Sequence, residues 1–327
     1  MSFFYPFIRD TDDNFFIYRY SYFNITVVNL RNASYLREIK NILAEVQAVE
    51  KQLYNKIIIV TGAAGGLGEA MVKALVNAGA IVAAVDISQE RLEALRDNCG
   101  SEKVMPIAAD LRNPNICAGI AKTTFDTFGN IDGLVNNAGI GLSTIRENYY
   151  VDNIKFWDVP DERWDAIFYV NARAPFLIAK SAMPYFLKQK WGRIVNVTTS
   201  MDTMIRRGWT PYGPSKGALE AQSSCWAKDC EGSGITVNVL VPGGPTNTSM
   251  VPAASSPDRD SMVQPEVMQE PICWLMSRSS DNFNGNRLTG TGWDKNLPPN
   301  QAAENASAPA GWPGAGQQSV WPDLKPT

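Results

Sequence analysis

Tyr212 and Lys216 stand four residues apart in Tyr212-Gly213-Pro214-Ser215-Lys216, a spacing that on a helix points both side chains the same way. An ammonium beside a phenol stabilises tyrosinate and lowers the phenol pKa, which makes tyrosine a usable acid or base near neutral pH. Tyr-x-x-x-Lys is common by chance, so its company matters. Thr198-Thr199-Ser200 brings hydroxyls to one strand end, and Asn136-Asn137-Ala138-Gly139 brings a glycine-bearing sequence to another. The 327 residues include no histidine, which removes the Ser-His-Asp triad, the H-E-x-x-H zinc site and any histidine general base. Gly213-Pro214-Ser215-Lys216-Gly217 fits the G-x-S-x-G nucleophile elbow, but that mechanism needs a histidine partner and is rejected. No metal site is expected.

The element that must organise these groups is Ile57-Ile58-Ile59-Val60-Thr61-Gly62-Ala63-Ala64-Gly65-Gly66-Leu67-Gly68. Four aliphatic residues in a row suit a strand buried on both faces of a parallel sheet. The run stops on glycines and restarts as a helix with apolar Met71, Val72, Ala74, Leu75 and Val76. Gly62, Gly66 and Gly68 give G-x-x-x-G-x-G, where a Cβ would block the tight turn and the approach of backbone N–H groups to a pyrophosphate. A second aliphatic strand, Ile81 to Val85, ends in Asp86, 24 residues after Gly62. A carboxylate there accepts from the adenosine ribose hydroxyls and repels a 2′-phosphate, which favours NAD over NADP. The alternative for Asp86 is an ordinary helix N-cap.

From Lys56 onward strand and helix signals alternate: strands at 57–61, 81–85, 103–108, 131–135, 193–198 and 235–241, with helices near 67–77, 89–98, 114–128, 161–189 and 212–231. This rhythm predicts an α/β fold, a doubly wound, Rossmann-type parallel sheet with helices on both faces, in which the carboxyl ends of neighbouring strands meet in one crevice. The catalytic domain is expected over 55–294. Residues 1–54 form an N-terminal extension, aromatic-rich and then amphipathic from Leu36. Residues 295–327, rich in proline, glycine and alanine, are expected to be disordered or draped on the surface. The net charge of −3 without a basic run argues against nucleic acid, and no apolar run approaches a membrane span. Five cysteines with no C-x-x-C pair suggest reduced thiols and a cytoplasmic setting.

Taken together these motifs resemble the short-chain dehydrogenase/reductase family, single-domain and NAD-type, over about residues 54 to 294. The matching positions are the turn Thr61 to Gly68 (with Gly62, Gly65, Gly66, Leu67 and Gly68), Asp86, Asp110-Leu111, Asn136 to Gly139, Asn171, Ser200, Tyr212, Lys216 and Pro242-Gly243. The resemblance implies that Tyr212 exchanges a proton with the substrate oxygen while Lys216 binds the nicotinamide ribose. Ser200 would hydrogen-bond the reacting oxygen, and Asn171 would hold a water that relays protons from Lys216. Asp110 would face the adenine, Asn137 would sit by the adenine ribose with Ala138 and Gly139 also among the cofactor-binding residues, and Thr246 or Thr248 would approach the carboxamide. The family's serine most often falls where this chain has Thr199, so Thr199 is the alternative to Ser200.

The loop Met201 to Pro211 carries Arg206, Arg207 and Trp209; its arginines are either solvated or recognise an acidic group on the substrate. Residues 244–264 are expected to form a lid. The expected activity is NAD(H)-dependent interconversion of a small-molecule secondary alcohol and ketone by a homodimer or homotetramer. A non-catalytic NAD-binding sensor or scaffold is the alternative.

Overall fold

The computed structural model describes residues 52–255 and 258–313, together with 15–16 and 28–29. The chain divides into two compact units, Met1–Tyr54 and Asn55–Thr327. In the first, Phe15–Phe16 pairs antiparallel with Val28–Asn29. The helix expected from Leu36 lies outside the described residues.

The second unit is built on an eight-stranded sheet. Its strands are β1 (Ile57–Thr61), β2 (Ile81–Asp86), β3 (Val104–Ala108), β4 (Gly133–Asn136), β5 (Gly192–Val197), β6 (Ile235–Val241), β7 (Asn286–Thr289) and β8 (Ser307–Pro309). The spatial order is β8-β7-β6-β5-β4-β1-β2-β3, all parallel except the last pair, β7 with β8. Strands β1, β4, β5 and β6 are buried at every residue, as expected of a sheet covered on both faces. The chain order reverses between β1 and β4, and a doubly wound sheet opens a crevice at the carboxyl ends of its strands at such a point.

Nine helices are described: α1 (Gly66–Asn77), α2 (Gln89–Cys99), α3 (Pro114–Phe128), α4 (Asp161–Phe168), α5 (Ala174–Gln189), α6 (Met201–Ile205), α7 (Tyr212–Asp229), α8 (Gln269–Leu275) and α9 (Pro299–Asn305). α3 packs on α5, burying Cys117, Ile120, Ile178, Ala182 and Phe186 against β1, β4 and β5. α1 packs on α8, and α7 lies along β6. None of these helices is long and apolar enough to cross a membrane.

The structure departs from the sequence expectation in three places. The single helix expected over 161–189 is broken by one π-helical turn, Tyr169–Arg173, between α4 and α5. Residues 201–205, expected as loop, form α6, whose N-terminus is capped by the Ser200 side chain accepting from the Thr203 N–H. The third is in the segment from residue 295, expected to be disordered or draped on the surface, of which 295–313 are described. Instead α9 begins at Pro299, where a missing N–H costs a helix nothing, and Ala302, Ala303, Ala306 and Ala310 are buried. β8 then covers the edge of β7. Alanine and proline read as low complexity because a segment needs little apolar area when it only closes an existing sheet.

Candidate functional site

At the switch point the turn between β1 and α1 forms one wall of a cleft of about 450 Å³. Gly62 adopts φ +61°, a left-handed conformation that favours glycine, and an added Cβ would stand 2.8 Å from the Ala138 Cα. The turn is clamped from β4: Asn137 Nδ2 donates to the Thr61 and Gly62 carbonyls at 3.0 Å each, and the Asn137 and Ala138 N–H groups donate to Thr61 Oγ1. α1 starts at Gly65 with no side-chain cap, so its first N–H groups have no side-chain acceptor at the positive end of the helix dipole. Glycine at 66 lets Thr248 lie against the turn; a Cβ would stand 2.6 Å from the Thr248 methyl. An uncapped helix start beside a Cβ-free turn fits the pyrophosphate of a dinucleotide.

Asp86 closes the same wall. Its carboxylate accepts from the Ala64 N–H at 3.1 Å and the Ser88 N–H at 3.3 Å, so it holds the turn while lining the cleft. Of the sequence-predicted residues, Gly62, Gly65, Gly66, Leu67, Gly68, Asp86, Asn137, Ala138, Gly139, Ser200, Tyr212, Lys216, Pro242, Gly243, Thr246 and Thr248 all line it. Asp110 and Leu111 do not: Asp110 forms a bidentate pair with Arg112, which holds its carboxyl below the usual range, and Leu111 is buried in the core. Asp110 thus stands outside the cleft lining, its carboxylate paired with the neighbouring arginine.

The reacting end is assembled by α7, the β5 terminus and the π turn. Asn171 is wholly buried; its Oδ1 accepts from the Ile140 N–H at 2.8 Å, and its Nδ2 donates to the Ile140 carbonyl and to Ser215 Oγ at 3.0 Å. Pro175, four residues on, has no N–H to give the Asn171 carbonyl. A π turn placed there is the kind of local irregularity that recurs at functional sites. Lys216 is buried and donates to the Val197 carbonyl at 2.8 Å.

Ser200 and Thr199 divide their tasks in a way the sequence did not order. Ser200 Oγ accepts from the Thr203 N–H at 3.2 Å and bonds Thr203 Oγ1 at 2.7 Å, which commits it to capping α6. Thr199 lines the same cleft as Tyr212, and its side chain draws the Tyr212 pKa down against the larger effect of burial.

Burial dominates the electrostatics. It pushes the Tyr212 phenol up to about 12, with Tyr150 adding to the rise and the Thr199 hydroxyl countering it. The same burial pulls Lys216 down to about 8. The lowering of the Tyr212 pKa by Lys216 that their spacing suggested is not what the structure displays: the ammonium is turned to the Val197 carbonyl. Lys216 holds its proton less tightly folded than unfolded, so its burial penalty is fully present below about pH 8 and fades as pH rises towards 10.5. A shift of this size corresponds to roughly 3 kcal/mol. Wild-type stability should thus gain on that of Lys216→Met between pH 8 and pH 10, before Tyr212 begins to titrate. Urea titrations at both ends of that window check it, and a constant gap contradicts it.

The sequence profile of the family described as short chain dehydrogenase matches residues 56–259. The chain belongs to the short-chain dehydrogenases. Among relatives, 3-oxoacyl-[acyl-carrier-protein] reductase of Thermotoga maritima is 32% identical over 194 residues, 59% of this chain and 75% of that protein. A short chain dehydrogenase structure from Pseudomonas syringae aligns at TM-score 0.64 and 28% identity, covering 73% of this chain and 96% of the other. A candidate NAD(P) dependent gluconate 5-dehydrogenase of Beutenbergia cavernae, solved with bound NADP at low occupancy, aligns at the same TM-score with 26% identity and the same two coverages. The fold expectation holds, and membership places the chain among oxidoreductases that bind a nicotinamide cofactor and act on small molecules.

In this dehydrogenase several cleft residues had no sequence signal. Tyr149 and Tyr150 pack with Trp209 at ring separations of 5.8 and 5.3 Å and line the cleft beside Tyr212; they lie in a stretch with neither helical nor strand period. Arg91 lines the cofactor wall and donates to the Ala64 carbonyl. Arg206 lines the cleft as well, paired with Asp202 and stacked on Trp209 at 5.6 Å, whereas Arg207, exposed like it, does not line the cleft. The segment expected as a lid supplies Pro245, Thr246, Thr248, Ser249, Met250 and Val251 to the cleft. It is tied down by Arg259, which donates to Asn247 Oδ1 at 3.1 Å and to the Thr248 carbonyl at 3.0 Å.

Proposed function

We propose that this chain is an NAD(H)-dependent oxidoreductase that interconverts a secondary alcohol and a ketone, with Tyr212 as the acid and base. The observation that carries the reading is that Tyr212, Thr199 and Lys216 line one cleft with Asp86 and the glycine turn. A nicotinamide dinucleotide bound here supplies or accepts the hydride. The N–H groups at the start of α1 would hold its pyrophosphate, Asp86 the adenosine ribose, Lys216 the nicotinamide ribose, and Thr246 or Thr248 the carboxamide.

At neutral pH the raised pKa keeps Tyr212 protonated, the form needed to give a proton to a developing alkoxide in ketone reduction. Thr199, rather than Ser200, donates to the same oxygen, where charge develops. The Asn171 carbonyl, to which Pro175 has no N–H to give, would hold the relay water. A homodimer or homotetramer through α4, α5 and α7 is supported by Trp164 and Phe176, which remain 40% and 42% exposed. The reduced thiols support a cytoplasmic setting.

Turnover of NADH and NADPH over a panel of ketones tests the reading, with Asp86→Ser beside the wild type. The wild type should prefer NADH. Asp86→Ser should move the kcat/KM ratio at least about tenfold towards NADPH, because a like-charge contact with a 2′-phosphate costs one to several kcal/mol. NADH binding without turnover of any ketone points instead to the sensor, and an unchanged ratio removes Asp86 from the ribose.

A further inference from the structure

A buried ion pair grips the strand end that carries Thr199. Glu220, two turns along α7 from Tyr212, is wholly buried; its Oε2 accepts from the Thr198 hydroxyl at 2.9 Å and from Arg287 of β7. Arg287 gives its other amino group to the Thr199 carbonyl at 2.6 Å. Glu220 Oε1 has no hydrogen-bond partner among the described residues. Arg287 is itself seated between Val239 of β6 and Ala308 of β8, so its side chain links the last strands of the sheet to the reacting end.

Taking a carboxylate and a guanidinium out of water is costly, and a well-packed apolar pair of similar volume serves stability as well or better. An apolar pair could not hold one hydroxyl and one carbonyl on successive residues in fixed directions. We infer that Glu220 and Arg287 are positioning residues, which fix Thr198 and the Thr199 backbone so that the Thr199 hydroxyl is aimed at the Tyr212 phenol. The inference rests on the reading of Tyr212 and Thr199 as proton-transfer groups given above. Neither Glu220 nor Arg287 lines the cleft.

The test is a kinetic cycle in the full chain, with Arg287→Met and Arg287→Lys each made with and without Thr199→Val. Arg287→Met should lower kcat for ketone reduction about 10- to 100-fold while the KM for NADH moves less than about threefold. Arg287→Lys should recover part of the loss, because an ammonium can still reach one of the two acceptors. In the Thr199→Val background, Arg287→Met should cost less than about a further twofold, since both changes act through one hydroxyl. Equal losses in both backgrounds overturn the inference and leave a structural ion pair.

A crystal structure of Arg287→Met gives a readout independent of turnover. Thr199 turned away from Tyr212 supports the inference, and an unmoved strand end overturns it. That readout stands even if the wild type reduces no ketone, the separate result that would sink the proposed reaction. Should Arg287→Met fail to fold, Glu220→Gln, nearly isosteric and still able to accept from Thr198, goes through the same cycle under the same criteria.

Discussion

Tyr212→Phe is expected to lose about three orders of magnitude in kcat for ketone reduction while binding NADH within about threefold of the wild type, the pattern of a group used only in the transition state. The phenol is buried and its pKa raised to about 12, so the proton is present at every pH where the fold is intact. Phenylalanine keeps the ring and its packing against Trp209, whose centroid lies 6.0 Å away. What disappears is the proton donor. The sign of the pKa shift adds a second expectation. Wild-type reduction should show no loss from Tyr212 ionisation up to about pH 10, whereas alcohol oxidation, which needs tyrosinate, should climb with pH over the same range. Steady-state rates in both directions, with NADH affinity from fluorescence, check this. A phenylalanine variant retaining a tenth or more of wild-type kcat would remove Tyr212 from the chemistry.

Much of this arrangement could be read from residue order because it depends on local rules. Aliphatic runs ending on glycine or an acid mark β1 and β2, and their helices follow at the expected spacing, so the crevice could be placed before its walls were known. The features that escaped depend on which of several possible partners a group takes. Asp110 carries a motif suited to an adenine, and Arg112 two residues on pairs with it. Ser200 and Thr199 are equally good hydroxyls in isolation; the demand of α6 for an N-cap engages Ser200. The π turn at Asn171 has a weak signal, Pro175, that periodicity over 161–189 outweighed. Lys216 and Tyr212 share a helical face as their spacing requires, but direction on a face does not fix what an ammonium bonds, and burial, invisible in the spacing, sets both pKa values.

Gly68→Ala should weaken NADH binding about 100-fold or more, as an ångström-scale misplacement of a binding group can, and destabilise the fold by about 1–3 kcal/mol through overpacking. A Cβ on residue 68 would stand 2.0 Å from the Gly62 carbonyl oxygen, 2.8 Å from its carbon and 2.9 Å from the Ala63 Cα. These are backbone atoms and have little room to retreat. The Gly62 carbonyl accepts from Asn137 Nδ2, the Ala63 N–H donates to the Val85 carbonyl at 3.1 Å, and Gly62 already occupies the left-handed region. Relief must come from moving the start of α1, and that displaces the N–H groups proposed to hold the pyrophosphate. Gly119→Ala is the matched control: residue 119 lies inside α3 with nothing within 4 Å of its added Cβ. There the same methyl should raise stability by about 0.5–1 kcal/mol and leave NADH binding unchanged. Chemical denaturation and NADH titration of the two variants separate the cases, and a Gly68→Ala protein that binds NADH like the wild type would move the dinucleotide off this turn.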